Sequence, residues 1–269
     1  MSELKKERLQ FKDLHKLILN IPRSKEMATN FCGQKELQKQ TFEVLYTDLT
    51  VVFWYWDAFV CRVFFYSVKD SEVRKLLQMT PENAVMDIIQ KEEQKRWEKL
   101  TGFSSYAVYG RFGRKIAGIE EEKKRFKREP LDRFYKEEYG IPAVREQLEE
   151  IQQVLEDHFD AGADHLYSKQ EMAELIDKKR VWIHSEEGRI TTIFVYRIEG
   201  KKFYSNISLN DSTADVLYSM QKKVLLNAIE EFKVLYYYGW IRINNRQALR
   251  KNHYPEFDAY DYVMVQKGE

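Results

Sequence analysis

What this 269-residue chain lacks narrows its function before any motif is sought. Its eleven glycines and five prolines are too few for a collagen-like or low-complexity chain. They form no phosphate-binding loop, no dinucleotide-binding glycine fingerprint and no nucleophile elbow, and no H-E-x-x-H zinc motif is present. The two cysteines, Cys32 and Cys61, are far apart and outside any C-x-x-C. That excludes a disulfide framework or a cysteine zinc site, and it fits a reducing, cytoplasmic compartment. Charge of one sign is also missing: 44 Lys+Arg stand against 43 Asp+Glu, a net of +1. A nucleic-acid partner needs a concentrated positive field, so none is expected. The longest apolar stretch, Val51 to Tyr66, is interrupted by Asp57 and Arg62, too short and too broken to span a bilayer. The opening Met1-Ser2-Glu3-Leu4-Lys5-Lys6 is charged with no apolar core behind it, so no signal peptide and no membrane association are expected.

What is present is a hydrophobic content of 43%, enough for one large domain or two modest ones. The aromatic share of 14% reads mainly as core and pocket lining. Leu14, Leu17 and Ile18 mark a first helix, and Gln34 to Leu45 is expected to be a second. Thr50 to Trp56 and Phe59 to Tyr66 are β-branched and aromatic, and Asp57-Ala58 separates them, the pattern of a tightly joined strand pair. A short helix over Ser71–Leu77, a strand over Ala84–Ile89, a helix over Lys91–Leu100 and a strand over Tyr106–Arg111 follow. Residues 114–140 are dense in both charge signs and poor in core residues, which predicts a partly helical, solvated connector. The division expected is therefore 1–113, the connector 114–140, and 141–269.

The second half is more regular. Val144, Leu148, Ile151, Val154, Leu155 and Phe159 share a helical face. Ser168-Lys169-Gln170-Glu171 is a capping box for the next helix. Three strands follow over Arg180–His184, Arg189–Arg197 and Lys202–Leu209, with Glu187-Gly188 and Glu199-Gly200 at the turns. A long amphipathic helix over Asp215–Phe232, a strand over Leu235–Ile243, a short helix over Asn244–Asn252 and a strand over Tyr260–Val265 complete it. A meander and then a helical crossover predict an α/β fold, with a mixed, mostly antiparallel sheet flanked by helices.

This order resembles that of the GNAT superfamily of acyl-CoA-dependent N-acetyltransferases, over about Ile141 to Lys267. Asn245-Arg246-Gln247-Ala248 resembles the family's N-x-x-A segment, and Phe257 to Val265 resembles its closing strand. The first half resembles the same pattern more weakly: Ile88-Ile89, Trp97 to Phe103 and Tyr106 to Tyr109 run strand, helix, strand. The resemblance thus implies two GNAT-like lobes, the first more degenerate.

It also implies acetyl-CoA or another acyl-CoA as cofactor and a small-molecule or peptide amine as acceptor. The pantetheine arm would lie between the strands Phe203–Leu209 and Leu235–Ile243, with Ile207, Leu209 and Asn245 beside it and Ser212 and Thr213 at the phosphates. The family's general acid is often a tyrosine four residues after the helix alanine; that position is Asn252 here, so Tyr254, two residues on, is the candidate acid, and His184 is the candidate base. The chain departs from the family at Leu209-Asn210-Asp211-Ser212-Thr213-Ala214-Asp215, where a glycine-bearing phosphate loop is usual. Here there is no glycine, and Asp211 and Asp215 oppose a diphosphate. Asp211 and Ser212 also suit a helix N-cap. Two readings therefore stand: an N-acyltransferase, or a catalytically inactive GNAT-fold module that binds another ligand or a protein. A homodimer with one structural lobe is a third. Asp157, His158, Asp160, Asp164 and His165 match no metal-site spacing and read as a polar helix end, so no metal is assigned. Gly239, within Tyr236-Tyr237-Tyr238-Gly239-Trp240, is expected to mark a bulge.

Overall fold

The computed structural model describes all residues except 1–2, 26, 32–36, 39, 92–95 and 267–269. They form two compact units, Met1–Tyr109 with Ala259–Glu269, and Gly110–Asp258.

The first unit contains β1 (Lys5–Gln10), α1 (Phe11–Asn20), β2 (Ala28–Thr29), β3 (Thr41–Tyr46), β4 (Thr50–Trp56), β5 (Cys61–Ser67), α2 (Asp70–Leu77), β6 (Val85–Gln90) and α3 (Arg96–Thr101). Its part of β7 (Ser104–Lys115) ends at Tyr109. The apolar runs of β4 and β5 exist because both faces of this sheet are covered. Val51, Phe53 and Phe64 pack with Leu14 and Ile18 of α1 on one face. Val52, Trp54, Val63 and Phe65 pack with Val73, Leu76 and Leu77 of α2 and Trp97 of α3 on the other. The expected helix over Gln34–Leu45 is corrected where it is described: Thr41–Tyr46 is β3, antiparallel to β4. Phe42 and Val44 belong to the α1 face, whereas Leu45 joins the opposite one. A lone apolar cluster cannot separate a helix from a buried strand.

Asp57 closes the β4–β5 hairpin by accepting the Phe59 and Val60 amides, both at 2.8 Å. Its other oxygen meets Nε of the buried Arg62 at 2.9 Å, and Asp87 of β6 lies 3.5 Å from the same guanidinium. Burial pushes the nearby Cys61 thiol up to about 12, with the Asp57 charge adding to the effect.

The second unit begins with Gly110–Lys115 of β7. It continues through α4 (Ile119–Arg128), a 3-10 turn at Pro130–Phe134, β8 (Ile141–Pro142), α5 (Leu148–His158), α6 (Lys169–Asp177) and β9 (Val181–Glu186). Then come β10 (Arg189–Glu199), β11 (Lys202–Asn210), α7 (Ala214–Phe232), β12 (Tyr236–Arg242) and α8 (Arg246–Lys251). The strand order is β12-β11-β10-β9-β8. Ile193, Val195, Ile207 and Leu209 pack under α5 and α6. Phe194, Tyr196 and Phe203 pack under α7, which contributes Val216, Leu217, Met220, Val224, Leu225, Ala228 and Ile229. The Ser168 capping box forms as the sequence predicts, with Oγ accepting from the Glu171 amide and Glu171 accepting from the Ser168 amide.

The units differ from the division expected from sequence in two places. β13 (Ala259–Val265) belongs to the first unit, because its whole length pairs antiparallel with β6, from Tyr260 opposite Gln90 to Val265 opposite Val85. Residues 114–140 are an integral part of the second unit rather than a solvated connector. The Glu122 side chain is only 4% exposed and accepts from both terminal guanidinium nitrogens of Arg114, at 2.5 and 2.7 Å. Asp132 accepts from Lys222 at 2.5 Å and from the Tyr218 hydroxyl at 3.0 Å, fixing the 3-10 turn to α7. A charge run with both signs is compatible with a solvated face or with internal ion pairs, and sequence alone does not separate them. Among the described residues, no helix is long and apolar enough to cross a membrane.

Candidate functional site

The candidate site of the second unit arises where two neighbouring strands part. Along one edge, β11 pairs with β10 from Lys202 opposite Glu199 to Asn210 opposite Thr192. Along the other it pairs in parallel with β12 only through Lys202–Ser205 and Tyr236–Gly239. Both strands run on, to Asn210 and Arg242, without pairing to each other. The cause is local. Val195 lies opposite Ile207 and Tyr196 opposite Ser205, so Asn206 is the extra residue of a β-bulge. A bulge bends and twists the strand that carries it. It also reverses which face the following side chains take, so Phe203 lies under α7 while Ile207 and Leu209 lie under α5 and α6.

Gly239 is the last residue of β12 to pair with β11, and the register shift beside the gap lies at Asn206 of β11 rather than at this glycine, where the sequence had placed it. A Cβ there would sit 2.7 Å from the Phe112 ring, so glycine lets that ring lie against the strand.

Past the gap, β11 leads into the start of α7. Asn210 organises this turn: its Oδ1 accepts from the Thr192 hydroxyl at 2.8 Å, and its Nδ2 donates to the carbonyls of Ser212 and Thr213 at 3.1 and 3.3 Å. The Asp211 amide donates to the Thr191 carbonyl at 2.8 Å. Its carboxylate meets His158 Nε2 at 2.7 Å, with both side chains substantially exposed. Such a pair is worth less than about 1 kcal/mol.

The residues singled out from sequence are only partly brought together. The side chains of Ile207 and Leu209 are core, and their backbone groups face Val195 and Ile193 of β10, in the alternation set by the Asp211–Thr191 bond, so the free edge of β11 is offered by the backbone of Ser208 and Asn210 instead. Ser212 donates its hydroxyl to Glu186. Thr213 is the exposed N-cap of α7, and its side chain makes no cap hydrogen bond. Asn245 caps α8 as the N-x-x-A resemblance implies, its Oδ1 accepting from the Ala248 amide at 3.0 Å. Tyr254 stands 64% exposed just past α8, in the left-handed region at φ +50°, with its hydroxyl 3.4 Å from Arg250 Nε. His184 lies on β9, with β10 between it and β11. Its ring meets Tyr139 edge-on at 5.2 Å, and its Nε2 is 3.8 Å from Glu186. Ser212, Glu186 and His184 thus form a chain beside the start of α7.

Part of the polar cluster at the end of α5 is satisfied by its own backbone. His158 Nδ1 is 2.7 Å from the Val154 carbonyl, and Asp160 and Asp164 accept from the amides of Gly162 and Asp160, both at 2.8 Å. Sequence reasoning missed Asn206 and Asn210. Asn206 left no signal, because Phe203, Ile207 and Leu209 keep a regular odd-numbered alternation in the sequence.

The first unit parts at the equivalent place in its strand order. β5 and β6 are parallel and share the single pair Arg62 opposite Val85. There, however, the opening is filled. Ala28 and Thr29 pair antiparallel with Ser67 and Tyr66 of β5. The Asn30 amide then bridges the two strands, donating to the carbonyls of Val63 (3.0 Å) and Asp87 (3.2 Å) and accepting from the Phe65 amide (2.8 Å).

Comparison with solved structures shows a tandem GNAT-like fold. The chain superposes on a tandem GNAT protein from the clavulanic acid biosynthesis pathway over 99% of its own length and 100% of the other's, with 8% identity and a TM-score of 0.53. A probable N-acyltransferase from Enterococcus faecalis V583 is matched over 98% of this chain and 72% of that one, at 9% identity and a TM-score of 0.52. A GCN5-related N-acetyltransferase from Sphaerobacter thermophilus is matched over 84% and 81%, at 7% identity and a TM-score of 0.52. Identities this low establish shared fold alone. No family model and no curated protein matches the sequence.

Proposed function

We propose that this protein binds an acyl-CoA in the gap between β11 and β12 and transfers the acyl group to an amine. The observation that carries this reading is the end of β11–β12 pairing at Ser205 and Gly239, opposite a one-residue bulge at Asn206. A strand edge left unpaired inside a sheet presents backbone donors and acceptors to an extended ligand. Pantetheine, with two amides in an extended chain, has the matching chemistry. The filled gap of the first unit supports the same idea from within the chain, since its occupant is also an extended, amide-bearing segment.

In this reading the backbone of Ser208, at the free edge of β11 past the bulge, pairs with the pantetheine. The Thr213 hydroxyl and the first amides of α7 meet the phosphates, aided by the helix dipole. Asn245 holds the start of α8. The acceptor is a neutral primary amine of a small molecule or peptide. Its lone pair attacks the thioester carbonyl carbon; the C–N bond forms and the C–S bond breaks. The thiolate leaves and takes a proton from the Tyr254 hydroxyl or from water, and the nitrogen releases its extra proton to solvent. His184 is separated from the gap by β10 and is given no step.

The second reading, a ligand-binding module without transfer, is favoured by one feature. The start of α7 carries Asp211 and Asp215, and its Ser212 hydroxyl is held by Glu186. Titration with acetyl-CoA followed by an acetyl-transfer assay over a panel of amines separates the two. Binding with release of free CoA supports transfer, binding without turnover supports the module, and no binding at all removes both acyl-CoA readings.

A further inference from the structure

The geometry points to Ala28–Asn30 as a built-in occupant of the first unit's strand gap, a peptide ligand supplied in cis that closes this unit to any extended amide-bearing ligand. The edge of β5 that it uses is fixed by topology. The opposite edge is engaged by β4 over the full strand, from Thr50 opposite Ser67 to Trp56 opposite Cys61. β2 therefore shares the edge on which β6 starts, and it enters from the open end of the V.

The occupant is held by more than backbone pairing. Thr29 donates its hydroxyl to the Phe65 carbonyl at 2.7 Å and accepts from the Phe31 amide at 3.0 Å. Asn30 sits where the strands diverge, and its primary amide uses both functions, donating to one carbonyl on each strand and accepting one amide from β5. A carboxamide satisfies this mixed set, whereas a carboxylate or an aliphatic side chain does not. Ala28 is buried in the core beside Phe65, so the segment is seated rather than draped. Phe31 follows and packs edge-on to Phe53 and Phe64, at ring distances of 5.3 and 6.2 Å, which anchors the far side of the bridge. The consequence is a chain with two divergent strand pairs and one accessible ligand site. This ligand count rests on the acyl-CoA reading above; the seating of Ala28–Asn30 does not.

Two measurements on the full chain test it. Hydrogen exchange at the Phe65 amide reads the seating without any ligand. In Asn30→Ala its protection should fall about ten- to a hundredfold, the effect of losing a buried hydrogen-bond network, while Val195 in the second unit is unchanged. Asn30→Asp has almost the same shape, so a residue that merely fills space would tolerate it. The inference requires it to lose at least as much protection as Asn30→Ala, because its carboxylate would face two carbonyls. Unchanged Phe65 exchange in both variants, or full protection in Asn30→Asp, would overturn the occupant. Native mass spectrometry with CoA then counts sites. One CoA per wild-type chain agrees with a filled first gap, and two would contradict it. If no CoA binds, the acyl-CoA reading falls while the exchange result still decides the occupant.

Discussion

Two parallel strand pairs diverge in this molecule, and the chain treats them oppositely. In the second unit β11 and β12 separate beyond Ser205 and Gly239, and among the described residues no strand follows into the opening. In the first unit β5 and β6 separate beyond Arg62 and Val85, and Ala28–Asn30 moves in. The same backbone device thus serves as a cleft in one unit and as a closed joint in the other. An opening between strands is an expensive feature in a sheet, because buried backbone groups must find partners. The first unit supplies them itself, and in the proposed reading the second leaves them for a ligand. In the proposed reading that contrast places the ligand in the second unit, and the acidic turn at Asp211–Asp215 is the feature that argues against it.

The largest effect that would sharpen this contrast lies in the first unit. Arg62→Met should leave Asp57 and Asp87 partly buried without their shared cation, and breaking such a cluster costs about 3–5 kcal/mol. Chemical denaturation should show that loss, while CoA affinity below the transition stays as in wild type. A large fall in affinity in the folded variant would mean that the first gap also serves the ligand.

Gly239→Val is next. Its Cβ would press on the Phe112 ring at 2.7 Å, an overpacking worth about 1–3 kcal/mol. Because the residue marks the apex of the open gap, CoA affinity should fall by about tenfold or more, the equivalent of 1.4 kcal/mol. Equal affinity would detach the ligand from the gap.

A smaller effect concerns the helix that follows each meander. In the first unit Glu72 near the start of α2 accepts from Thr47 at 2.7 Å and from Lys69 at 2.8 Å. Burial alone would raise its carboxyl, but these hydrogen bonds outweigh it and hold the group below the usual carboxylate range. A lowered folded value stabilises above the ordinary glutamate range and is lost as pH falls through the folded value. Thr47→Val should therefore reduce stability at neutral pH by about 1 kcal/mol and by less in acid, as read from denaturation midpoints across pH. In the second unit Thr213 caps α7 without a side-chain bond, so Thr213→Val should leave stability nearly unchanged.

The smallest effect tests the acidic turn. Asp211→Asn removes one negative charge near the proposed phosphates and ends the pairing with His158. CoA should bind about two- to fivefold tighter at low salt, and the gain should shrink as salt is added.

How much of this was legible in the sequence follows the physics of each element. The second unit's helices and strands were readable because each keeps one apolar period, from the Ser168 capping box to the stripe of α7 and the Asn245 cap. β3 was misread because six residues carry too few turns of either period, and because its neighbours on both sides supply the burial. β13 was readable as a strand but not as part of the first unit, since pairing partners leave no mark on one strand's own alternation. Asn206 and Asn30 were invisible for related reasons. A bulge adds one residue to a strand without changing its composition, and Asn30 is one polar residue whose three partners lie more than 30 positions away. The acidic residues of the loop before α7 were noticed from sequence. The partner of Asp211, His158, and that of the neighbouring Ser212, Glu186, came only with the fold.

The most direct test of the central claim is calorimetric titration of the full-length protein with acetyl-CoA, wild type beside Gly239→Val. A single site on the wild-type chain, weakened about tenfold or more in the variant, is the predicted result. No heat with millimolar acetyl-CoA, or identical binding by the two proteins, would contradict it.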